Sequence, residues 1–158
     1  MERVLILGGG VGGTIVANLV GRKLRREIND GEVEVTVVDQ SGNHVYQPGF
    51  MYITFGHETA AGLERPERSL LDDRVKLVVD EATRIDEATR TVALASGDSL
   101  GYDQLVLATG SRIAPEEIEH FESEAHHFYT AAAARRLREA LDAFTGGSIV
   151  VGIAGMPY

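Results

Sequence analysis

The stretch Arg3-Val4-Leu5-Ile6-Leu7-Gly8-Gly9-Gly10-Val11-Gly12-Gly13 decides the fold. Its apolar run, residues 4–7, is of the kind that forms a parallel strand buried on both faces. The glycines behind it spell G-x-G-x-x-G at Gly8, Gly10 and Gly13, and an apolar-periodic segment opens at once afterwards. Strand, glycine turn and helix in that order are the context in which such a turn cradles the phosphates of a dinucleotide. Gly8 permits the tight turn, Gly10 lets the backbone approach a pyrophosphate, and Gly13 lets the helix lie close to the strand. The free N–H groups at the helix start favour an anion. Gly8, Gly9, Gly10, Val11, Gly12 and Gly13 are therefore candidate cofactor-binding residues. The glycine pattern alone is weak; its place between strand and helix gives it weight.

A second apolar run, Glu32-Val33-Glu34-Val35-Thr36-Val37-Val38, ends at Asp39 and is followed by Gln40. A carboxylate at the tip of the second strand accepts hydrogen bonds from ribose hydroxyls and repels a 2′-phosphate. Asp39 lies 26 residues beyond Gly13, more than the usual ~20. The excess falls in the basic run Arg22-Lys23-Leu24-Arg25-Arg26 and the turn Asn29-Asp30-Gly31. Cations there complement the dipole of a helix C-terminus. That helix is expected over residues 12–28, with Ile15, Val16, Leu19, Val20, Leu24 and Ile28 along its apolar face.

Length and composition bound the rest. A chain of 158 residues with 44% hydrophobic content holds one full core. A net charge of −9 argues against a general nucleic-acid binder. There is no cysteine, so the chain contains neither a disulfide nor a thiolate metal site. The strand starting at Val4 leaves no room for a signal peptide, and no apolar run approaches the ~20 residues of a membrane span. A cytoplasmic location follows as an expectation.

Along the chain, Ser41-Gly42-Asn43-His44-Val45-Tyr46-Gln47-Pro48-Gly49-Phe50-Met51-Tyr52 lacks clear periodicity. It is expected to be a loop at the carboxyl end of the sheet, where a ligand lies. A short helical turn is expected at 66–71 and a third strand at 75–79. Between residues 82 and 102, three short strands separated by Asp86-Glu87-Ala88-Thr89 and Ser96-Gly97-Asp98-Ser99 read as an antiparallel β-meander. Gln104-Leu105-Val106-Leu107 returns a buried strand that closes on the turn Ala108-Thr109-Gly110, whose backbone lies near a ligand bound at the strand ends. Residues 111–127 read as an acidic surface linker. Thr130 caps a helix over 131–144 with Leu137, Leu141 and Phe144 on one face, and Gly146-Gly147 ends it. Ser148-Ile149-Val150-Val151-Gly152-Ile153-Ala154-Gly155 reads as a new buried strand entering a glycine turn.

Taken in order, the N-terminal fingerprint, Asp39, the meander and Tyr102-Asp103-Gln104-Leu105-Val106-Leu107-Ala108-Thr109-Gly110 resemble the flavoproteins with two dinucleotide-binding domains. That superfamily includes pyridine-nucleotide-disulfide reductases and type II NADH dehydrogenases. Within it, Tyr46-Gln47-Pro48-Gly49-Phe50 and Val150-Val151-Gly152-Ile153-Ala154-Gly155-Met156-Pro157 are most similar to the sulfide:quinone oxidoreductase and flavocytochrome c sulfide dehydrogenase branch. The resemblance implies an α/β, Rossmann-like FAD-binding domain, with a parallel sheet and an inserted antiparallel β-meander, truncated before completion. It implies FAD as cofactor, with contacts from Gln40, Gln47, Pro48, Ala82, Ala108, Thr109 and Gly110 besides the glycine loop and Asp39. The division it suggests is 1–112 for the first FAD-domain segment, 113–129 for a linker, and 130–158 for the start of a second dinucleotide-binding-like domain. It further implies a quinone or other electron acceptor reached through a missing part of the chain, peripheral membrane association of a full-length protein, and self-association of this fragment.

The chain also departs from that branch. Many of its members carry a cysteine near the position of Tyr129, and sulfide oxidation needs thiolates to carry the sulfur. With no cysteine, these 158 residues do not perform it alone. No catalytic residue and no metal site is assigned. His44, on the expected ligand loop, reads either as a base or as a solvated side chain, and the neighbours His126 and His127 point opposite ways on an extended segment. Three functions stay open at this point: the FAD-binding portion of a sulfide- or NAD(P)H-linked quinone reductase, an NAD-binding dehydrogenase domain, and a noncatalytic nucleotide-binding module.

Overall fold

The structure is a computed structural model that describes residues 1–153. In chain order its elements are β1 (Glu2–Leu7), α1 (Val11–Lys23), α2 (Arg25–Asn29), β2 (Val33–Asp39), β3 (Asn43–Val45), α3 (Phe50–Thr54), β4 (Glu64–Pro66) and β5 (Lys76–Val79). There follow β6 (Ala82–Asp86), β7 (Thr91–Leu94), β8 (Ser99–Gly101), β9 (Gln104–Leu107), α4 (Phe121–Glu124) and α5 (Ala131–Asp142). Four parallel strands form one sheet in the order β5-β2-β1-β9.

The central place of β1 explains its unbroken apolar run, because neighbouring side chains enter different cores. Leu5 and Leu7 pack with Val38, Val92, Leu94 and Tyr102, where the β6-β7-β8 meander covers the sheet. Ile6, fully buried, packs on the other side with Ala17, Val35, Val37, Leu71 and Val75, under α1. Burial of a side chain such as Ile6 contributes about 1.5–3 kcal/mol. The α/β class, the parallel sheet and the antiparallel meander all stand as expected.

The first helix differs from its expected form. It breaks at Leu24, which leaves α1 and the five-residue α2. The face on the sheet consists of Gly13, Thr14, Ala17 and Gly21, flanked by the partly buried Val16 and Val20. Ile15 and Leu19 are exposed, at 53% and 46%. The reason is distance of approach: a Cβ at Gly13 would stand 1.9 Å from the Gly8 carbonyl oxygen, and one at Gly21 would stand 3.2 Å from Val75. Small residues make the closest approach to the sheet, and of the expected apolar face Val16, Val20 and Ile28 pack against that core while Ile15 and Leu19 do not.

Residues 41–54 are more regular than the sequence suggested. They form β3, a single 3₁₀ turn at Gln47–Gly49, and α3. Elements of three to five residues are too short to show a period. β3 pairs antiparallel with β4, and Phe50 and Ile53 of α3 are buried against Leu63 and Ala134. The 3₁₀ turn at Glu67–Ser69 fits the expected helical turn at 66–71.

The acidic stretch 111–127 runs largely exposed, with a 3₁₀ turn at Pro115–Glu117 and the short α4. Thr130 caps α5, its hydroxyl oxygen accepting from the Ala133 N–H at 3.1 Å. α5 ends at Asp142 and buries Ala133 and Ala134, while Leu137 and Leu141 are only partly covered and Phe144 is exposed. Ala131 and Ala134 reach the cluster around Phe50, so the 130–158 segment begins in contact with α3.

The strand expected over 148–155 is not formed in its described part. Residues 148–153 adopt no regular structure, and Ile149, Val150, Val151 and Ile153 are exposed. No neighbouring strand among the described residues offers them a hydrogen-bonding ladder, and a strand without one leaves its backbone groups to water. Ala154, Gly155, Met156 and Pro157 lie outside the described residues.

Candidate functional site

The glycine turn sits where β1, β2 and β9 end. Gly8 has φ +102°, a conformation suited to glycine, and its N–H donates to the Val38 carbonyl at 2.8 Å. A Cβ on Gly8 would meet the Ala108 carbonyl oxygen at 2.3 Å. Ala108 is held there by its own N–H, which donates to the Leu7 carbonyl at 2.9 Å. Gly8 and Gly13 are thus closed against the protein's own backbone.

Gly10 differs: nothing lies within 4 Å of the Cβ it lacks. It is the N-cap of α1, with no side chain capping the helix and no acidic residue in the first turn. The first N–H groups of a helix have no partner within it, and here they belong to Val11, Gly12 and Gly13. An uncapped helix N-terminus with open space beside its cap residue is complementary to an anion that approaches the backbone closely. The residues present therefore fit a diphosphate.

Asp39 organises the rim. Its Oδ2 accepts from the Gly9 N–H at 2.8 Å. Its Oδ1 accepts from the Ser41 N–H at 2.9 Å, the Ser41 hydroxyl at 3.0 Å and the Gly42 N–H at 2.8 Å. Burial, the largest single influence on this carboxyl, pushes its pKa up. The hydrogen bonds from Gly9, Gly42 and Ser41 together outweigh that push and hold it below the ordinary aspartate value. The side chain is an anion that fixes the loop after β2 to the glycine turn.

The other residues singled out in the sequence fall at varying distances from this centre. The Asp80 N–H donates to the Asp39 carbonyl at 3.0 Å, and Gln40 Nε2 donates to Glu81 Oε2 at 3.2 Å. Asp39, Gln40 and the start of β6 at Ala82 consequently share one end of the sheet. Ala108, Thr109 and Gly110 follow β9 beside Gly8, with Gly110 at φ +71°. Gln47 and Pro48 are exposed in the 3₁₀ turn and make no hydrogen bond to the glycine loop. No group of three or more His, Asp or Glu side chains suited to a metal occurs among the described residues.

Two residues lie beneath the loop: His44, whose sequence reading left a base or a solvated side chain open, and Glu67, which the sequence does not single out. His44 is turned inward, not solvated: its Nδ1 lies 3.1 Å from the Gly9 carbonyl oxygen and 3.2 Å from Glu67 Oε2. Glu67 is fully buried, and its Oε1 accepts from the Thr14 hydroxyl at 2.7 Å. Nothing in Pro66-Glu67-Arg68-Ser69 announces this, since a charged residue in a turn is ordinarily exposed.

Comparison with known proteins places this arrangement. Residues 2–155 match the family described as pyridine nucleotide-disulphide oxidoreductase. The mitochondrial sulfide:quinone oxidoreductase of Mus musculus is 27% identical over 116 residues, covering 73% of this chain and 24% of that protein. The alternative NAD(P)H-ubiquinone oxidoreductase C1 of Arabidopsis thaliana is 30% identical over 181 aligned positions, covering 99% of this chain and 34% of that protein. The sulfide:quinone oxidoreductase structure from Aquifex aeolicus shares the fold with a TM-score of 0.76 at 23% identity, over 90% of this chain and 32% of that one. The chain thus spans between a quarter and a third of the length of these relatives. No described helix is long and apolar enough to cross a membrane. With the glycine turn, the acidic strand tip and the meander matched in one continuous stretch, the chain belongs to the pyridine nucleotide-disulphide oxidoreductase family and carries its FAD-binding region.

Proposed function

We propose that this chain is the FAD-binding portion of a flavin-dependent oxidoreductase that passes electrons from sulfide to a quinone. The cofactor's diphosphate lies over the turn from Gly8 to Gly13 and its adenosine ribose lies at Asp39. One observation carries this reading: Gly10 alone among Gly8, Gly10 and Gly13 faces open space, at an uncapped helix N-terminus. Gln40 and Ala82 share the Asp39 end of the sheet, and Ala108, Thr109 and Gly110 border the diphosphate on the β9 side. Asp39 Oδ1 already takes three hydrogen bonds, so Oδ2, with one, is the oxygen that receives a ribose hydroxyl. Gln47 and Pro48, exposed in the turn after β3, are proposed to lie on the flavin side of the cofactor.

The flavin, when bound, supplies the two-electron chemistry, and this chain supplies position and charge. The donor and acceptor are proposed from the relatives whose names state them. The likeness to the Arabidopsis protein supports NAD(P)H as an alternative donor. Because the chain has no cysteine, any thiolate that carries sulfur comes from outside these residues. The chain divides into 1–112, 113–129 and 130–158; its partner is a quinone or other electron acceptor and not nucleic acid; the location is cytoplasmic with peripheral attachment of a longer protein at the membrane; and these 158 residues self-associate through the apolar segment 149–153.

The test is Gly10→Val. Its Cβ meets no protein atom, so the circular dichroism spectrum should match the parent and the melting temperature should fall only slightly, through loss of the favourable glycine N-cap, while FAD binding, followed by flavin fluorescence, is lost. Unchanged FAD affinity would place the diphosphate elsewhere. NADPH should compete poorly, since Asp39 would stand against its 2′-phosphate; tighter NADPH than FAD binding overturns the ribose assignment.

A further inference from the structure

Glu67 is the one charged side chain that is fully buried among the described residues, and it lies directly behind the glycine loop. Its two oxygens reach two elements. Oε1 accepts from the Thr14 hydroxyl in the first turns of α1, and Oε2 lies 3.2 Å from His44 Nδ1 on β3. The same nitrogen is 3.1 Å from the Gly9 carbonyl oxygen, which only accepts, so Nδ1 carries the hydrogen. The Thr14 hydroxyl has a single proton and three acceptors around it: Glu67 Oε1 at 2.7 Å, the Gly10 carbonyl at 2.9 Å and the Gly9 carbonyl at 3.1 Å. The Gly10 carbonyl already receives the Thr14 N–H at 3.0 Å, and the Gly9 carbonyl shares the single His44 Nδ1 hydrogen with Glu67 Oε2. Glu67 therefore draws the hydroxyl proton and holds the loop from two sides.

This places a buried carboxyl group beneath a loop built to receive an anion. Few charges intervene. α1 has no acidic residue in its first turn, and Asp39, at the end of β2, is bonded to the Gly9 N–H on the rim. Arg65, opposite His44 in the β3–β4 pair, spends its guanidinium on the Gly62 and Glu64 carbonyls. Arg68 spends its own on the carbonyls of Val75, Leu71 and Asp72. Among the described residues, His44 is the one group able to become a cation that touches Glu67. A diphosphate arriving at the N-terminus of α1 makes a lone negative charge at Glu67 less favourable and a proton on the Glu67–His44 pair more favourable.

We propose that Glu67 is a positioning residue of the dinucleotide loop, and that its pair with His44 takes up a proton from solvent when a diphosphate binds there. This rests on the FAD reading above and adds to it a link between cofactor binding and pH. FAD is the suitable probe, because its diphosphate is a diester with no titrating proton near neutrality.

FAD affinity of the 158-residue chain would be measured by flavin fluorescence from pH 6.5 to 8.5. The expected result is a gain of about 2–5-fold per pH unit on acidification, the slope of a fractional proton uptake. His44→Asn, alone and combined with Glu67→Gln, should flatten that slope. Calorimetric titration in two buffers of different ionisation enthalpy should show the uptake directly in the parent and its loss in the variants. A parent that binds FAD with no pH slope, or variants whose affinity falls equally at every pH with the slope retained, overturn the inference and leave the FAD reading intact. Absence of FAD binding by the parent at every pH removes both.

Discussion

Two stretches of this chain share one pattern and meet opposite fates. Residues 4–10 and 149–155 are each an apolar run followed by glycine. The first is β1, at the centre of the sheet, with Leu5, Ile6 and Leu7 buried to 2% exposure or less. In the second, Val150 and Val151 are both 89% exposed, and the described part forms no strand. The difference lies in what flanks them. β1 pairs with β2 over six residues and with β9 over four, and each face has its own cover. Residues 149–153 have no such neighbours among the described residues. Apolar content supplies a reason to be buried, but the ladder decides whether a strand exists.

The comparison is sharpened most by Ile6→Ala. Removing a fully buried side chain from the sheet centre should cost about 2–5 kcal/mol, read from chemical denaturation. A loss below about 1 kcal/mol would show that β1 is not held as described. Gly13→Ala comes next. The added Cβ would meet backbone, not a yielding side chain, and overpacking of that kind should cost about 3 kcal/mol even against the better helix propensity of alanine.

A smaller effect ties the glycine turn to acid. Because the Asp39 pKa is lowered in the folded protein, its stabilising contribution is present above the ordinary aspartate value of about 3.9. It is lost as the pH falls through the lower folded value. Asp39→Asn should thus be less stable than the parent at neutral pH, with the gap closing in acid. A gap that is constant with pH would mean the charge is not what matters. The smallest effect is expected at the other stretch: Val150→Ser should change unfolding stability by no more than about 0.5 kcal/mol. A large loss there would mean that the segment is packed after all.

Much of the candidate site's framework is legible in the sequence. The spacing Gly8, Gly10, Gly13 placed the turn, and the end of the run at Val38 placed Asp39 on the same rim, where it binds the Gly9 N–H. The meander was legible from alternation and turn residues, and its strands β6, β7 and β8 fall where those signals lie. The β3–α3 region was not, because elements of three to five residues carry no period to read. The helix face was misread for a different reason. Large apolar residues mark a buried face only where the neighbour leaves room, and the closest approach to this sheet is made by Gly13, Thr14, Ala17 and Gly21, with Val16 and Val20 at its flanks.

By itself the sequence determined the strand–turn–helix at the start of the chain, the acidic tip of β2 and the α/β order, since each is a local pattern with a local physical cause. Tertiary structure alone decided three things. It set Glu67 and Thr14, 53 positions apart, in hydrogen-bond contact behind the loop. It turned His44 inward onto Gly9. It left residues 149–153 without a strand. Each depends on which distant group is near, and a buried carboxylate or an unpaired apolar run is defined by its neighbours in space, which no local pattern encodes.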